Sequence, residues 1–204
     1  MVDFSDSLSK IFNIIPGPIF GIFSVTIGLL GDFLALLFFP KYNLDLMISK
    51  LGIGPGGIFF NIGTILSGFF AFLFYLYLGR VVKDDQTNEN LRKAAIVSAS
   101  VSCFFFMLLG VFPSVEGNQV LIILHGNFAS ICFITGLIYF LLFNIMILRS
   151  KNFLKIHAYV GFTEACLILT FLFTWNPISE WIMTIGIIVW IMLLAIYLFY
   201  RKTD

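Results

Sequence analysis

The sequence predicts an all-α fold, a polytopic transmembrane bundle of six helices with both chain ends on the cytoplasmic side. Three observations predict it. There are six long apolar runs, and charged residues make up only 11% of the chain against roughly 25% in soluble domains. Positive charge also gathers on alternate connections. The mean hydropathy is +1.03, and one transmembrane domain over residues 1–204 uses the whole length.

A helix needs about 20 apolar residues to cross the hydrocarbon, and six runs qualify: 17–39, 57–79, 94–112, 120–148, 156–175 and 180–200. The fourth is longer than a crossing needs, so it tilts or extends past the lipid. Ahead of the first span, Phe4, Leu8, Ile11, Phe12 and Ile15 recur at helical spacing against a polar face. That pattern predicts an amphipathic helix over residues 1–15 on the inner membrane surface, with a disordered polar tail as the alternative. Asp3 and Asp6 ahead of the apolar run argue against a cleavable signal.

Ten of the 12 lysines and arginines fall before the first span, in the second and fourth connections, or after the last span. Lys41 and Lys50, in the first connection, are the other two. Positive charge stays on the cytoplasmic side, so both termini are expected there. An odd number of spans would split the basic connections between the two sides. Phe39-Pro40, Phe112-Pro113 and Asn176-Pro177 end the three outward-running helices, as a ring without an N–H must.

Inside lipid, helices associate through close contact and hydrogen bonds. Gly17, Gly21, Ser24, Gly28, Gly31, Asp32 and Ala35 in the first span and Gly57, Asn61, Thr64, Gly68 and Ala71 in the second form small-residue stripes, which should meet. Ala95, Ala99 and Ser102 in the third and Ala129, Cys132 and Gly136 in the fourth are further packing stripes. The sixth span is nearly all bulky and is expected on the lipid-exposed rim.

An ionisable group at mid-bilayer costs about 2.5–3.5 kcal/mol on insertion scales, so each one needs a reason. Asp32 lies ~10 Å below the outer end of its span, His125 ~7 Å and the amide of Asn61 ~6 Å, taking 1.5 Å per residue. These three polar groups share one layer. They form either a ligand head-group or proton site in an outward-open cavity, or a hydrogen-bond clamp joining three spans. Glu164 lies ~12 Å from the inner face, on the same helix face as His157 and Gly161. It is either part of a proton path or a neutral carboxyl bonded to a neighbour such as Asn144 or Ser98. Residues 44–52 are too apolar for a solvated loop and should form a short amphipathic segment folded back over the outer mouth, either a lid on the cavity or a plain interfacial segment, before a glycine-rich turn at 52–57.

Several function classes find no support. The net charge of +1 carries no basic tract, so nucleic acid is not an expected partner. Cys103, Cys132 and Cys166 form no CxxC pair and read as buried packing residues. The two histidines lie near opposite membrane faces, which disfavours a zinc or haem site. No GxSxG element marks a serine nucleophile. No catalytic residue, metal or cofactor is expected.

The segment 31–40, the element Ile48-Ser49-Lys50-Leu51-Gly52, the element Phe60-Asn61-Ile62-Gly63 with Gly68, and Gly110-Val111-Phe112-Pro113 followed by His125 together resemble an uncharacterised prokaryotic family of six-helix membrane proteins. The likeness spans residues 28–147. The family is catalogued as a domain of unknown function and is distantly similar to the DRAM/FRAG/Sfk-type proteins linked to lipid and membrane homeostasis. It usually carries an acidic residue where Lys50 stands. The resemblance implies six helices and draws attention to Asn61 and His125, but it supplies no reaction.

The expected function is binding or moving a lipid or small amphiphile at Asp32, Asn61, His125 and Glu164, in a plasma membrane whose lipids are the partners. A homo-oligomer is open. The alternatives are a non-catalytic structural or interaction subunit and an intramembrane enzyme.

Overall fold

The computed structural model describes residues 10–84 and 87–201, and among these the secondary structure is helical, with no strand. Six helices are long and apolar enough to span a membrane: α1 (Gly17–Leu37), α2 (Gly57–Val81), α3 (Glu89–Val111), α4 (Gln119–Arg149), α5 (Lys155–Thr174) and α6 (Pro177–Arg201). The chain is a multi-pass membrane protein. Its spans lie where the apolar runs put them, but α3 starts five residues earlier and α6 three. Polar capping explains both. The Asn88 side chain accepts from the Asn90 and Leu91 N–H groups, and Asn176 does the same for Ile178, with Pro177 in the first helical position. Such turns are polar, so a hydrophobic run does not reveal them. With 31 residues, α4 is about 46 Å long at 1.5 Å per residue, well beyond the ~30 Å hydrocarbon.

The bundle has two distinct ends. At one, the terminal end, Phe12 from a short helical stretch at residues 10–14 packs against Phe20 and Tyr77 and beneath the Arg80 guanidinium. There Arg201 also donates to Asn152 in the α4–α5 connection. At the other, Lys50 meets Glu116 at 3.0 Å, joining the first and third connections. The structure thus groups the connections as the lysine and arginine count did. Phe4 and Leu8 of the expected surface helix lie outside the described residues. Within the rest of that stripe Phe12 is buried, while Ile11 and Ile15 are exposed.

The small-residue stripe of α1 does meet α2, but at Gly63 and Ser67 rather than at the expected stripe. Gly68 of that stripe lies against Met107 and Cys103, and its Asn61 and Thr64 lie against Gly110, all on α3. A Cβ on Gly31 would lie 2.8 Å from the Phe59 carbonyl oxygen and 3.0 Å from the Gly63 Cα, so only hydrogen fits there. Two turns further in, the Ser24 hydroxyl donates to the Ser67 carbonyl at 3.0 Å. Likewise α3 and α4 bury Ala99, Ser102, Ala129 and Cys132 against each other, and Ser102 donates to the Cys132 carbonyl. A second expectation fails. Rather than riding the rim, α6 packs against both α1 and α5 and closes the ring of helices. It buries Met183, Trp190, Leu194, Ala195 and Leu198 along one stripe, and only the opposite face (Ile182, Ile185, Val189 and Leu193) is exposed. A helix that is apolar all round carries no inward mark in lipid, because lipid and core are equally apolar. Cys103 and Cys132 are buried as expected, but Cys166 is exposed.

Candidate functional site

The small side chains that let the helices approach also leave a gap between them. Ser24 and Gly28 on α1, Ser67 and Ala71 on α2, and Ala129 and Gly136 on α4 face a central cavity of about 200 Å³. On α6 the cavity face is Glu180, Thr184, Ile187, Ile188 and Ile191, positions that repeat at helical spacing. Most of the wall is apolar. The polar groups at its inner end are closed on themselves: the Tyr75 and Tyr139 hydroxyls bond to each other at 2.9 Å, and Ser102 is spent on the Cys132 carbonyl.

The first connection covers the other end. Ile48–Ile53 forms a 3₁₀ helix, and Met47, Ile48 and Ser49 line the cavity. Ile48 and Leu51 are buried against Ala35, with Phe39, Tyr42 and Trp181 packed around them. The apolar segment 44–52 therefore does fold back over the bundle. Three polar clasps fix this lid. The Glu180 carboxylate accepts from the Ile48 N–H at 2.7 Å, and the Ser49 amide and hydroxyl add to it. Trp181 donates to the Tyr42 hydroxyl at 3.1 Å, and Tyr42 donates on to the Leu46 carbonyl at 3.0 Å. Burial pushes the Tyr42 phenol up to about 12 even with the Trp181 bond opposing, so it keeps its proton and stays a donor. Asn61 donates to the Gly52 carbonyl at 3.0 Å.

These contacts sort the expected residues. Asp32 and His125 line the cavity, whereas Asn61 holds the lid and neither it nor Glu164 lines the cavity. An interhelical clamp of Asp32, Asn61 and His125 is not present, because none of the three bonds to another. His125 bonds the Phe112 carbonyl through Nδ1 at 2.9 Å. A carbonyl only accepts, so Nδ1 carries the proton and Nε2 presents its lone pair. Nε2 has no partner among the described residues, and neither does the Asp32 carboxyl. No serine or cysteine among the described residues bonds to His125, so no nucleophile is paired with it.

Glu164 is 1% exposed, and both its oxygens lack a hydrogen-bond partner among the described residues. The expected bond to Asn144 or Ser98 is not made. Asn144 is engaged elsewhere, donating to the Phe140 carbonyl and accepting from Trp190. The Glu164 carboxyl instead fills the space beside Gly186, where a Cβ would collide with it.

Glu180 was the residue that sequence reasoning passed over. In the first turn of a span it reads as an ordinary helix-start acid, and only its phase with Thr184, Ile187 and Ile191 turns it inward. The Tyr75–Tyr139 pair was also missed, since tyrosines in apolar runs look like packing.

A lidded cavity inside six membrane-spanning helices defines the class: a polytopic membrane protein with an internal chamber near one face. The chain belongs to the family described as Protein of unknown function (DUF998), whose model matches residues 22–197. That match takes in α5 and α6, which the motif resemblance left out. No curated protein and no solved structure matches the chain.

Proposed function

We propose that this protein binds or moves a lipid or small amphiphile in the lidded cavity, within a prokaryotic plasma membrane, with both termini in the cytoplasm and the lid facing outward. The observation that carries the reading is the pairing of an apolar chamber with two unpartnered polar groups, Asp32 and the Nε2 of His125, directly beneath the lid. Ligand sites are mostly apolar concavities with a few convergent polar groups, whereas an unpaired polar atom with no ligand to meet is a net cost. The orientation follows from the lysine and arginine bias, which puts the terminal end inside.

Native mass spectrometry of protein extracted in mild detergent tests the reading. A retained amphiphile of defined mass is expected on the wild type, and it should be lost when Ala129, on the cavity wall, is enlarged (Ala129→Phe). A wild-type spectrum free of adduct across several detergents, or an adduct unaffected by filling the cavity, would contradict it.

A further inference from the structure

We infer that the cavity takes a cationic amphiphile, its ammonium head set between Asp32 and His125 and its chain along the apolar wall toward Tyr75. This rests on the binding reading above and specifies the ligand class. The charged side chains that line the cavity are Asp32 and Glu180, both acids, with no lysine or arginine among them. Glu180 is already committed to the lid through Ile48, which leaves Asp32 as the acid without a partner. Lys50 is not among the lining residues and is paired with the exposed Glu116, although its charge reaches His125.

His125 adds an independent constraint. It is only 9% exposed and lines the cavity, and with Nδ1–H held by the Phe112 carbonyl the neutral ring keeps Nε2 as an acceptor. Thr64, also at this end, donates back to the Phe60 carbonyl and offers no proton. The lid end of the chamber therefore presents an unpaired acid and a ring nitrogen with no cation to offset the acid, and Thr184 is a lining hydroxyl whose proton no bond among the described residues takes. An anionic head would meet acids with no cation to offset them. An alcohol would supply one proton, whereas an ammonium supplies up to three together with the opposite charge. Phe60, Phe106 and Trp175 on the wall are ring surfaces of the kind that accept an ammonium. A divalent metal is a poorer fit. No group of three or more His, Cys, Asp or Glu side chains that could hold an ion occurs among the described residues, and hard cations take six or more oxygens.

The test uses three probes of equal chain length, octylamine, octanol and octanoate. Each is titrated into the detergent-free, amphipol-held full chain and read by tryptophan fluorescence, with native mass spectrometry for stoichiometry. At neutral pH octylamine should bind about tenfold or more tightly than either other probe, the size of one charge-assisted bond. Asp32→Asn should remove that preference, bringing octylamine affinity down to that of octanol measured on the same variant. If octanol or octanoate binds as well as octylamine, the cavity holds amphiphiles but the cationic assignment is wrong. If no probe binds, the binding reading itself falls. The wild-type ranking needs no variant, so a poorly folded Asp32→Asn protein cannot rescue the proposal.

Discussion

The terminal half of the bundle and the lid half meet the problem of burial in opposite ways. In the terminal half, Phe74, Phe140, Phe143 and Trp190 are fully buried and interlock, with the Phe140 and Trp190 ring centroids 4.6 Å apart. Apart from the Glu164 carboxyl, the buried polar groups there are engaged with one another, since Trp190 donates to the Asn144 side chain at 3.1 Å and to the His157 carbonyl at 3.2 Å. In the lid half, small side chains hold the walls apart, Asp32 and His125 keep unpaired polar atoms, and a loop is latched over the gap. The contrast separates scaffold from site. Lipid tails give helices no hydrophobic reason to associate, so interlocked rings with satisfied polar groups hold the bundle together. A gap walled by small residues with unpaired acceptors adds nothing to that and is available for a ligand.

Variants in each half should behave accordingly. The largest effect is expected from Gly63→Leu, which drives a side chain into the α1 backbone at Gly31. Overpacking against backbone costs about 3 kcal/mol or more, and loss of the folded, monodisperse species in size-exclusion chromatography is the expected result. Trp190→Ala in the terminal half should cost about 3 kcal/mol through the cavity it opens, seen as a lower thermal midpoint, with octylamine binding to the surviving folded protein intact. Glu180→Ala removes the lid latch, with an expected loss of about 1.5 kcal/mol or more for hydrogen bonds to a carboxylate. Its signature is local: a Ser49→Cys reporter in a Cys166→Ser background should react faster with thiol reagents when Glu180 is gone. Lys50→Ala should change stability least, by under about 1 kcal/mol, because its partner Glu116 is exposed and the pair is screened by salt. A Lys50→Ala loss as large as that of Trp190→Ala would erase the distinction between scaffold and periphery.

The scaffold was far more legible in the sequence than the site. Apolar runs and prolines mark the spans because crossing a bilayer demands length and composition. Gly31 announces a close helix approach because no larger residue fits there, whereas its partner Gly63 lies off the stripe that the second span shows. The role of α6 was hidden, since a bulky apolar face suits lipid and core alike. The cavity was hidden for a related reason: Ala129 or Gly136 signals a small side chain, and whether a neighbour fills the room depends on the packing of all six helices. Asp32 and His125 could be picked out because an ionisable residue in a span always calls for a reason. Asn61 could be picked out on the same ground, but its role as a lid clasp depends on where the Gly52 carbonyl comes to rest. Glu164 shows the limit of the approach. Its burial was readable, and its lack of a partner was not.

The most direct test of an outward-facing chamber is side-specific labelling at Gly126. This residue lines the cavity next to His125, and a Cβ there meets nothing within 4 Å. In a Cys166→Ser background, Gly126→Cys should react in intact cells with a membrane-impermeant, cationic methanethiosulfonate added outside, and octylamine should protect it. Labelling confined to inside-out vesicles, with none from the outer surface, would contradict the account.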